Sequence, residues 1–133
     1  GKYSRLVDMA ADAILLRDIE TGLYAESNQA ASVLSGYTRD ELMKMCPADL
    51  FPLSKLSEYN QAVLRWVHDE KGFLHDAMVI KKEGFLVPVE ISASLIEIKG
   101  RKFIQEIWRD VSERKGYQEA DRRPRGDGQS EDL

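Results

Sequence analysis

Apolar and polar residues alternate most regularly between positions 85 and 96. The alternating residues are Val87, Val89, Ile91, Ala93 and Leu95 on one side and Pro88, Glu90, Ser92 and Ser94 on the other. This period of two is typical of a β-strand with one buried face and one wet face. Apolar stretches at 73–82 and 102–109 predict two further strands. Turns are predicted at Glu83-Gly84 and around Gly100.

The first third of the chain predicts a helix, a hairpin and a second helix. Within residues 2–11, four residues share the i, i+3, i+4, i+7 spacing of one helix face. They are Tyr3, Leu6, Val7 and Ala10. Two short strands, 13–17 and 23–27, are predicted on either side of a turn at Gly22. Asn28 is expected to cap a short helix that ends at Gly36.

The middle of the chain predicts several helices interrupted by proline. Thr38-Arg-Asp-Glu41 has the spacing of a capping box, and its helix is expected to carry Leu42 and Met45 on one face. Pro47 and Pro52 leave room for about one turn between them. A longer helix is predicted over 55–69, with Gly72 ending it. Its apolar stripe is Leu56, Tyr59, Val63 and Val67.

Composition and charge narrow the possible functions. The 133 residues are 43% hydrophobic and 32% charged, which is typical of one globular domain. The net charge of −4 and the lack of a long basic stripe argue against nucleic-acid binding. No apolar run approaches the ~20 residues of a membrane span, so a cytoplasmic location without direct membrane contact is expected. Because the first residue is Gly1, we expect a segment of a longer protein.

Five strands with helices grouped between them predict an α+β fold, with an antiparallel sheet covered on one face. This order resembles the PAS domain of the bacterial sensory-box type. The matching pieces run in order along the chain: Ala13–Asp18, Thr21-Gly22, Asn28-Gln-Ala-Ala31, Gly36-Tyr37-Thr-Arg-Asp-Glu-Leu42, Leu50-Phe51, Lys82-Glu-Gly84, Val87-Pro-Val-Glu-Ile91 and Arg109-Asp-Val-Ser-Glu-Arg-Lys115. The resemblance implies a five-stranded sheet in the order 2-1-5-4-3, with short helices over one face.

The resemblance also implies a domain division and a role. An N-terminal amphipathic helix (1–12) would precede the PAS sensor domain (13–115), and a polar tail (116–133) would follow it. Such domains work inside signalling proteins whose output is a histidine kinase, a cyclic-dinucleotide enzyme or a transcription regulator. A homodimer is expected, with the face formed by Tyr3, Leu6, Val7 and Ala10 packed against a second copy.

A small-molecule ligand is expected in a cavity between the sheet and the middle helices. The predicted wall residues are Ile14, Leu16, Leu34, Tyr37, Met45, Leu50, Val63, Val67, Val89, Ile91, Phe103 and Ile107. The predicted signal relay is Asp110, Ser112 and Glu113, in the segment that the family places between its last strand and a connecting helix. Asp110 would cap that helix and set the angle at which the strand becomes helix.

Cofactor chemistry finds little support in the residues. Cys46 is the one cysteine, but the flavin-holding residues of light-sensing relatives are missing around it, and a buried apolar role is expected. His68 and His75 lie off the apolar stripe, which disfavours a haem ligand. Trp66 and Trp108 could stack on a flavin, but core or dimer packing is the expected role. No cofactor and no metal site are therefore predicted, with flavin or haem as the alternatives.

Catalysis by this domain is not expected. The chain has no glycine-rich phosphate loop, no HExxH motif and no Ser/His/Asp or Cys/His pairing at a known spacing. Asn28 could reach a ligand, although a helix cap is the commoner role. Three functions stay open at this point: a small-molecule sensor, a ligand-free dimerisation and relay module, and a flavin- or haem-based redox or gas sensor.

Overall fold

The computed structural model describes residues 11–113, and within them nine elements follow one another along the chain. They are β1 (Ala13–Asp18), β2 (Tyr24–Ser27), α1 (Gln29–Ser35), α2 (Arg39–Leu42), α3 (Pro47–Leu50), α4 (Leu53–Asp69), β3 (Lys71–Ile80), β4 (Leu86–Ile98) and β5 (Arg101–Asp110). The strands form one antiparallel sheet in the order β2-β1-β5-β4-β3. The predicted fold class and strand order are confirmed.

Local capping signals place the short helices where the sequence predicts them. The Asn28 side chain accepts a hydrogen bond from Ala31 N at 3.0 Å and begins α1. Gly36 ends that helix with a φ of 83°, a conformation that glycine adopts without strain. Thr38 and Glu41 form the predicted capping box of α2, with bonds of 3.1 Å and 2.8 Å. Because α2 ends at Leu42, Met45 lies outside it.

Gly72 has a different role from the predicted one. The long helix α4 ends at Asp69, and Glu70 takes the left-handed C-cap conformation with a φ of 71°. Gly72 lies in β3 beneath the Trp66 indole. A Cβ atom at this position would lie 2.7 Å from Trp66 Nε1 and closer still to Cδ1. Only glycine lets this strand pass so close to the buried ring.

The strand register decides which side chains face the helices. In the β1–β5 pair, Leu15 lies opposite Glu106 and Ala13 opposite Trp108. Glu106 and Trp108 continue this face towards β4, opposite Ala93 and Ile91. We call this the inner face, because α4 packs across it and its apolar side chains belong to the hydrophobic core. The other face of the sheet is the outer face.

Some predictions fall outside the described residues. They include most of the N-terminal helix, with its dimer face of Tyr3, Leu6, Val7 and Ala10, and the polar tail 116–133. Within residues 11–113, no helix is long and apolar enough to span a membrane.

Candidate functional site

Aromatic rings occupy the layer between the inner face and the helices. The ring of Phe51 stacks on that of Tyr59, with centroids 4.4 Å apart and planes 23° apart. Tyr24 meets Trp108 edge to face at 6.0 Å, and Tyr59 meets Trp66 in the same way at 6.1 Å. All five side chains are buried. These rings pack against one another in the region between sheet and helices where the cavity is predicted.

A carboxylate, Glu106, lies fully buried among these rings, in the middle of β5. Its Oε2 atom accepts a hydrogen bond from the Tyr59 hydroxyl. Its Oε1 atom accepts one from Trp108 Nε1 at 3.0 Å. A buried charge is costly unless polar groups satisfy it, and here two donors from α4 and β5 do so.

Two further polar groups lie next to the Tyr59 hydroxyl. Arg17 Nη1 donates to it at 3.2 Å, and the Tyr24 hydroxyl lies 3.3 Å away. The Arg17 guanidinium also lies 5.5 Å from the centre of the Tyr59 ring, within cation–π range. Arg17 is thus connected to Glu106 through the phenol hydroxyl. We call these five residues, Arg17, Tyr24, Tyr59, Glu106 and Trp108, the Glu106 cluster.

Burial dominates the electrostatics of the Glu106 cluster. Removal from water raises the pKa of Glu106 to about 7, against the smaller lowering effects of its bonds from Tyr59 and Trp108 and of the Arg17 charge. Burial, followed by the charge of Glu106, raises the pKa of Tyr24 and of Tyr59 well above 10. Both phenols therefore stay neutral across the physiological range, while Glu106 titrates within it.

Seven of the predicted cavity residues lie in or against the hydrophobic core. Leu50, Val89 and Ile91 are buried in it, and four half-buried residues pack on it. These four are Leu34, Tyr37, Met45 and Val63. Their role as walls of a ligand cavity stays a prediction.

The other five predicted cavity residues need correction. Ile14, Leu16, Phe103 and Ile107 lie on the outer face, because the register pairs Ile14 with Ile107 and turns their neighbours inward. Val67 is 37% exposed. The buried residues of α4 are Tyr59, Ala62 and Trp66, so Tyr59 of the predicted stripe is buried while Val67 at its end lies outside the core.

Sequence reasoning missed Glu106 as a buried residue and Arg17 as its half-buried neighbour. Glu106 lies two positions from both Ile104 and Trp108, so the three share the inner face. The signal available in the sequence was a charged residue spaced two positions from apolar residues on the same face of a strand. It was hidden because the opposite phase of β5 is also apolar, at Phe103 and Ile107.

The predicted relay begins at the end of β5. Asp110 Oδ1 accepts a hydrogen bond from Ser112 N at 2.8 Å, which is the geometry expected of a helix cap. Val111 is buried, and its N–H donates to Pro88 O at 3.0 Å. This bond anchors the chain to β4 one residue after the strand ends. Glu113 is exposed and is the last described residue, so the helix that Asp110 would cap lies beyond the described range.

A groove of about 410 Å³ opens beside this point, between α1 and the ends of β1 and β5. Ala30, Val33 and Leu34 of α1 form one wall, and Trp108 and Asp110 contribute to the other. Trp108 of the Glu106 cluster and Asp110, the first residue of the predicted relay, therefore both line this groove.

The residues considered for cofactors are spread across the molecule. Cys46 is partly exposed rather than buried, and its Sγ lies 3.5 Å from Asp49 Oδ2 at the start of α3. The side chains of His68 and His75 are 89% and 74% exposed. Trp66 is a residue of α4 and is buried in the core. Within residues 11–113, no group of three or more His, Cys, Asp or Glu side chains could hold a metal ion.

A family model, known protein sequences and solved structures were each compared with this chain, and the relatives they give agree with one another. Residues 11–113 match the family model described as PAS domain. A Methyl sulfide methyltransferase-associated sensor of Methanosarcina acetivorans is 27% identical over 92% of this chain. A solved domain of the sensory box sensor histidine kinase/response regulator from Geobacter sulfurreducens is 31% identical, with a TM-score of 0.66, over 82% of this chain and 91% of its own.

A PAS domain of a protein from Colwellia psychrerythraea has the same fold, with a TM-score of 0.74 at 18% identity over 84% of this chain and 96% of its own. The match covers only 12% of the Methanosarcina sensor and 15% of an uncharacterized Azorhizobium caulinodans protein that is 23% identical. The family match, which spans most of the chain, and the shared fold lead to one conclusion: this chain belongs to the PAS domain family.

Proposed function

We propose that this PAS domain senses a small ligand and passes its occupancy through Asp110, Ser112 and Glu113 to an output domain in the same protein. The observation that carries the proposal is the groove beside Trp108 and Asp110. Its lining includes Trp108, a residue of the buried Glu106 cluster, and Asp110 at the start of the relay segment. A ligand bound there would lie next to both residues.

The groove has the size and chemistry of a small-molecule site. Its volume of about 410 Å³ lies within the ~300–1,000 Å³ range of ligand pockets. Ala30, Val33 and Leu34 offer an apolar wall, while Asp12 and Arg109 stand at the rim, 3.8 Å apart. These surroundings fit a largely apolar ligand with one polar group directed at the rim.

Signal transfer from this groove requires that the ligand favour one packing of β5 over another. Trp108 and Asp110 are two residues apart on the same strand, so a ligand that displaces β5 at Trp108 also acts on the end of the strand. The bond from Val111 N to Pro88 O is the next contact along the chain. A shift there would change the direction in which the chain leaves the domain.

Filling the groove tests the ligand proposal. Native mass spectrometry of the purified domain, compared with its denatured mass, should reveal a bound small molecule or its uptake from a metabolite extract. Val33→Trp should abolish the added mass, because Val33 lines the groove. Leu53→Trp is the matched control, since Leu53 is exposed on α4. No added mass in any sample, or equal binding by both variants, would count against the proposal. An absorption spectrum of the same sample tests the flavin and haem alternatives.

A ligand-free dimerisation and relay module is the second candidate, favoured by the outer face of the sheet. Phe73, Ser92, Ile107 and Ile14 form one row across four strands, and Phe73 at the edge is 63% exposed. Three of these four residues are apolar, and such a row suits a partner surface. We expect a homodimer that uses the face containing Leu6 and Val7.

The double variant Leu6→Asp, Val7→Asp should leave a folded monomer, measured by light scattering coupled to size exclusion. A folded variant that stays dimeric would show that this face is not the interface. Asp substitutions at Ser4 and Lys2, which lie off the predicted apolar stripe, are the control and should preserve the dimer.

A further inference from the structure

Among residues 11–113, no cation is in direct contact with the buried carboxylate of Glu106. Within residues 11–113 its hydrogen-bond partners are the Tyr59 hydroxyl and the Trp108 indole. The titratable and charged groups facing it are Arg17 from β1, Tyr24 from β2 and Tyr59 from α4. From β4, the residue opposite it is Ala93, which does not titrate.

Proton uptake would reverse the direction of the hydrogen bond between Glu106 and Tyr59. In the ionised form the carboxylate accepts from both Tyr59 and Trp108. When Glu106 takes a proton from water, the new O–H becomes a donor towards the Tyr59 oxygen. Tyr59 must then turn its own hydrogen away, and the Tyr24 oxygen at 3.3 Å is the acceptor within reach.

The same proton also removes the negative charge of Glu106, which is separated from the Arg17 guanidinium by the Tyr59 hydroxyl. Trp108 keeps an acceptor in Oε1, but a neutral carboxyl oxygen accepts more weakly than a carboxylate. The contacts affected are those that connect β5 to α4 and β2. Protonation therefore acts on the packing of the long helix against the strand that leads to Asp110.

We propose that Glu106 is a proton-binding site through which the acidity of the surroundings sets how α4 and Trp108 are held against β5. The inference rests on the proposed function only for its output, since the relay segment would carry the change onwards. Burial raises the pKa of Glu106 to about 7, which brings this exchange into the neutral range. The input is then the solvent proton, in addition to any ligand in the groove.

The test is a pH titration of the full 133-residue chain from about pH 5 to about pH 9, followed by two readouts. Infrared difference spectroscopy detects the protonated carboxyl group. Nuclear magnetic resonance follows the indole N–H of Trp108, with that of Trp66 as an internal reference. We expect the Trp108 signal to shift with a midpoint near neutral pH and to follow the carboxyl band.

Three variants decide the origin of that midpoint. Glu106→Gln should abolish it, while Glu97→Gln, an exposed change on β4, should leave it in place. Tyr59→Phe removes a donor to the ionised form. It should raise the midpoint by about one pH unit, a tenfold tighter binding of the proton.

An unchanged Trp108 midpoint in Glu106→Gln would overturn the proposal, and so would a wild-type chain without a carboxyl band that titrates in this range. If Glu106→Gln does not fold, an unmoved midpoint in Tyr59→Phe overturns it instead. Ligand uptake is measured separately by native mass spectrometry. If the chain shows no titration of this kind but still binds a ligand, only the proton-binding proposal fails. If the titration is present but no ligand binds in the groove, only the ligand proposal fails.

Discussion

Replacing Glu106 with glutamine removes its charge while keeping its size, so the variant isolates the effect of a buried carboxylate on stability. In the folded protein the pKa of this side chain is raised from its ordinary value of 4.5 to about 7. The folded state therefore holds the proton more tightly than the unfolded chain does. The resulting stabilisation is complete below about pH 4.5 and is lost as the pH rises through about 7.

The magnitude follows from the two pKa values. Integrating the proton linkage from pH 5 to pH 8 gives a loss of about 2.5 kcal/mol in the free energy of unfolding. Glu106→Gln has no proton to lose in this range. The difference in stability between the variant and the wild type should therefore change by about 2.5 kcal/mol in favour of the variant between these two pH values.

Urea denaturation followed by tryptophan fluorescence measures this difference. With a slope of about 1.5–2 kcal/mol per molar urea, the relative shift of the two midpoints is about 1–2 M. Other titrating groups contribute equally to both proteins and cancel. If the stability curves of the wild type and Glu106→Gln run parallel between pH 5 and pH 8, the reasoning from burial to proton affinity is wrong.

Three further predictions concern single contacts. Tyr59→Phe removes the hydroxyl that serves Glu106 and should cost about 1–3 kcal/mol at pH 8 in urea denaturation, and less at pH 5. Asn28→Ala loses three bonds to the backbone around the starts of β1 and α1, and should cost about 2–3 kcal/mol in thermal unfolding. Gly72→Ala places a methyl group against the Trp66 indole and should cost about 1–3 kcal/mol in urea denaturation.

Each of these three has a matched control. If Tyr59→Phe loses the same free energy of unfolding at pH 5 and at pH 8, the Tyr59 hydroxyl does not act through the charge of Glu106. Asn28→Asp keeps the acceptor oxygen and should recover part of the loss. If it is as unstable as Asn28→Ala, the capping bonds do not carry the effect. The cost of Gly72→Ala should shrink in a Trp66→Ala background, and a strictly additive double variant would contradict the proposed clash.

Predictions from local signals agree best with the structure. Asn28, Gly36 and the Thr38–Glu41 capping box depend on residues within one helical turn, so short-range chemistry is sufficient to place them. Gly72 shows the limit of such reasoning. Its role depends on Trp66, which β3 meets only after the chain reverses at Glu70.

The candidate site was predicted in part, because the strands differ in how clearly they define their faces. In β4 only one face is consistently apolar, and Val89 and Ile91 point inward as predicted. β1 and β5 are apolar on both faces, so Ile14 and Ile107 could equally have been interior residues. The Asp110 turn is present, while the relay of a signal through it stays a prediction.

The sequence by itself determined the strands and the capped ends of the short helices, because alternation and capping are readable over a few neighbouring residues. The fold family and the order of the strands followed from the resemblance of its ordered motifs to the PAS domain. Only the tertiary structure decided that Glu106 faces the helices. Its orientation is set when β5 pairs with β1 on one side and β4 on the other. Once the register is set, neighbours as distant in sequence as Arg17, Tyr24 and Tyr59 supply its polar surroundings. Burial among them, rather than the identity of the residue, brings its proton affinity to the neutral range.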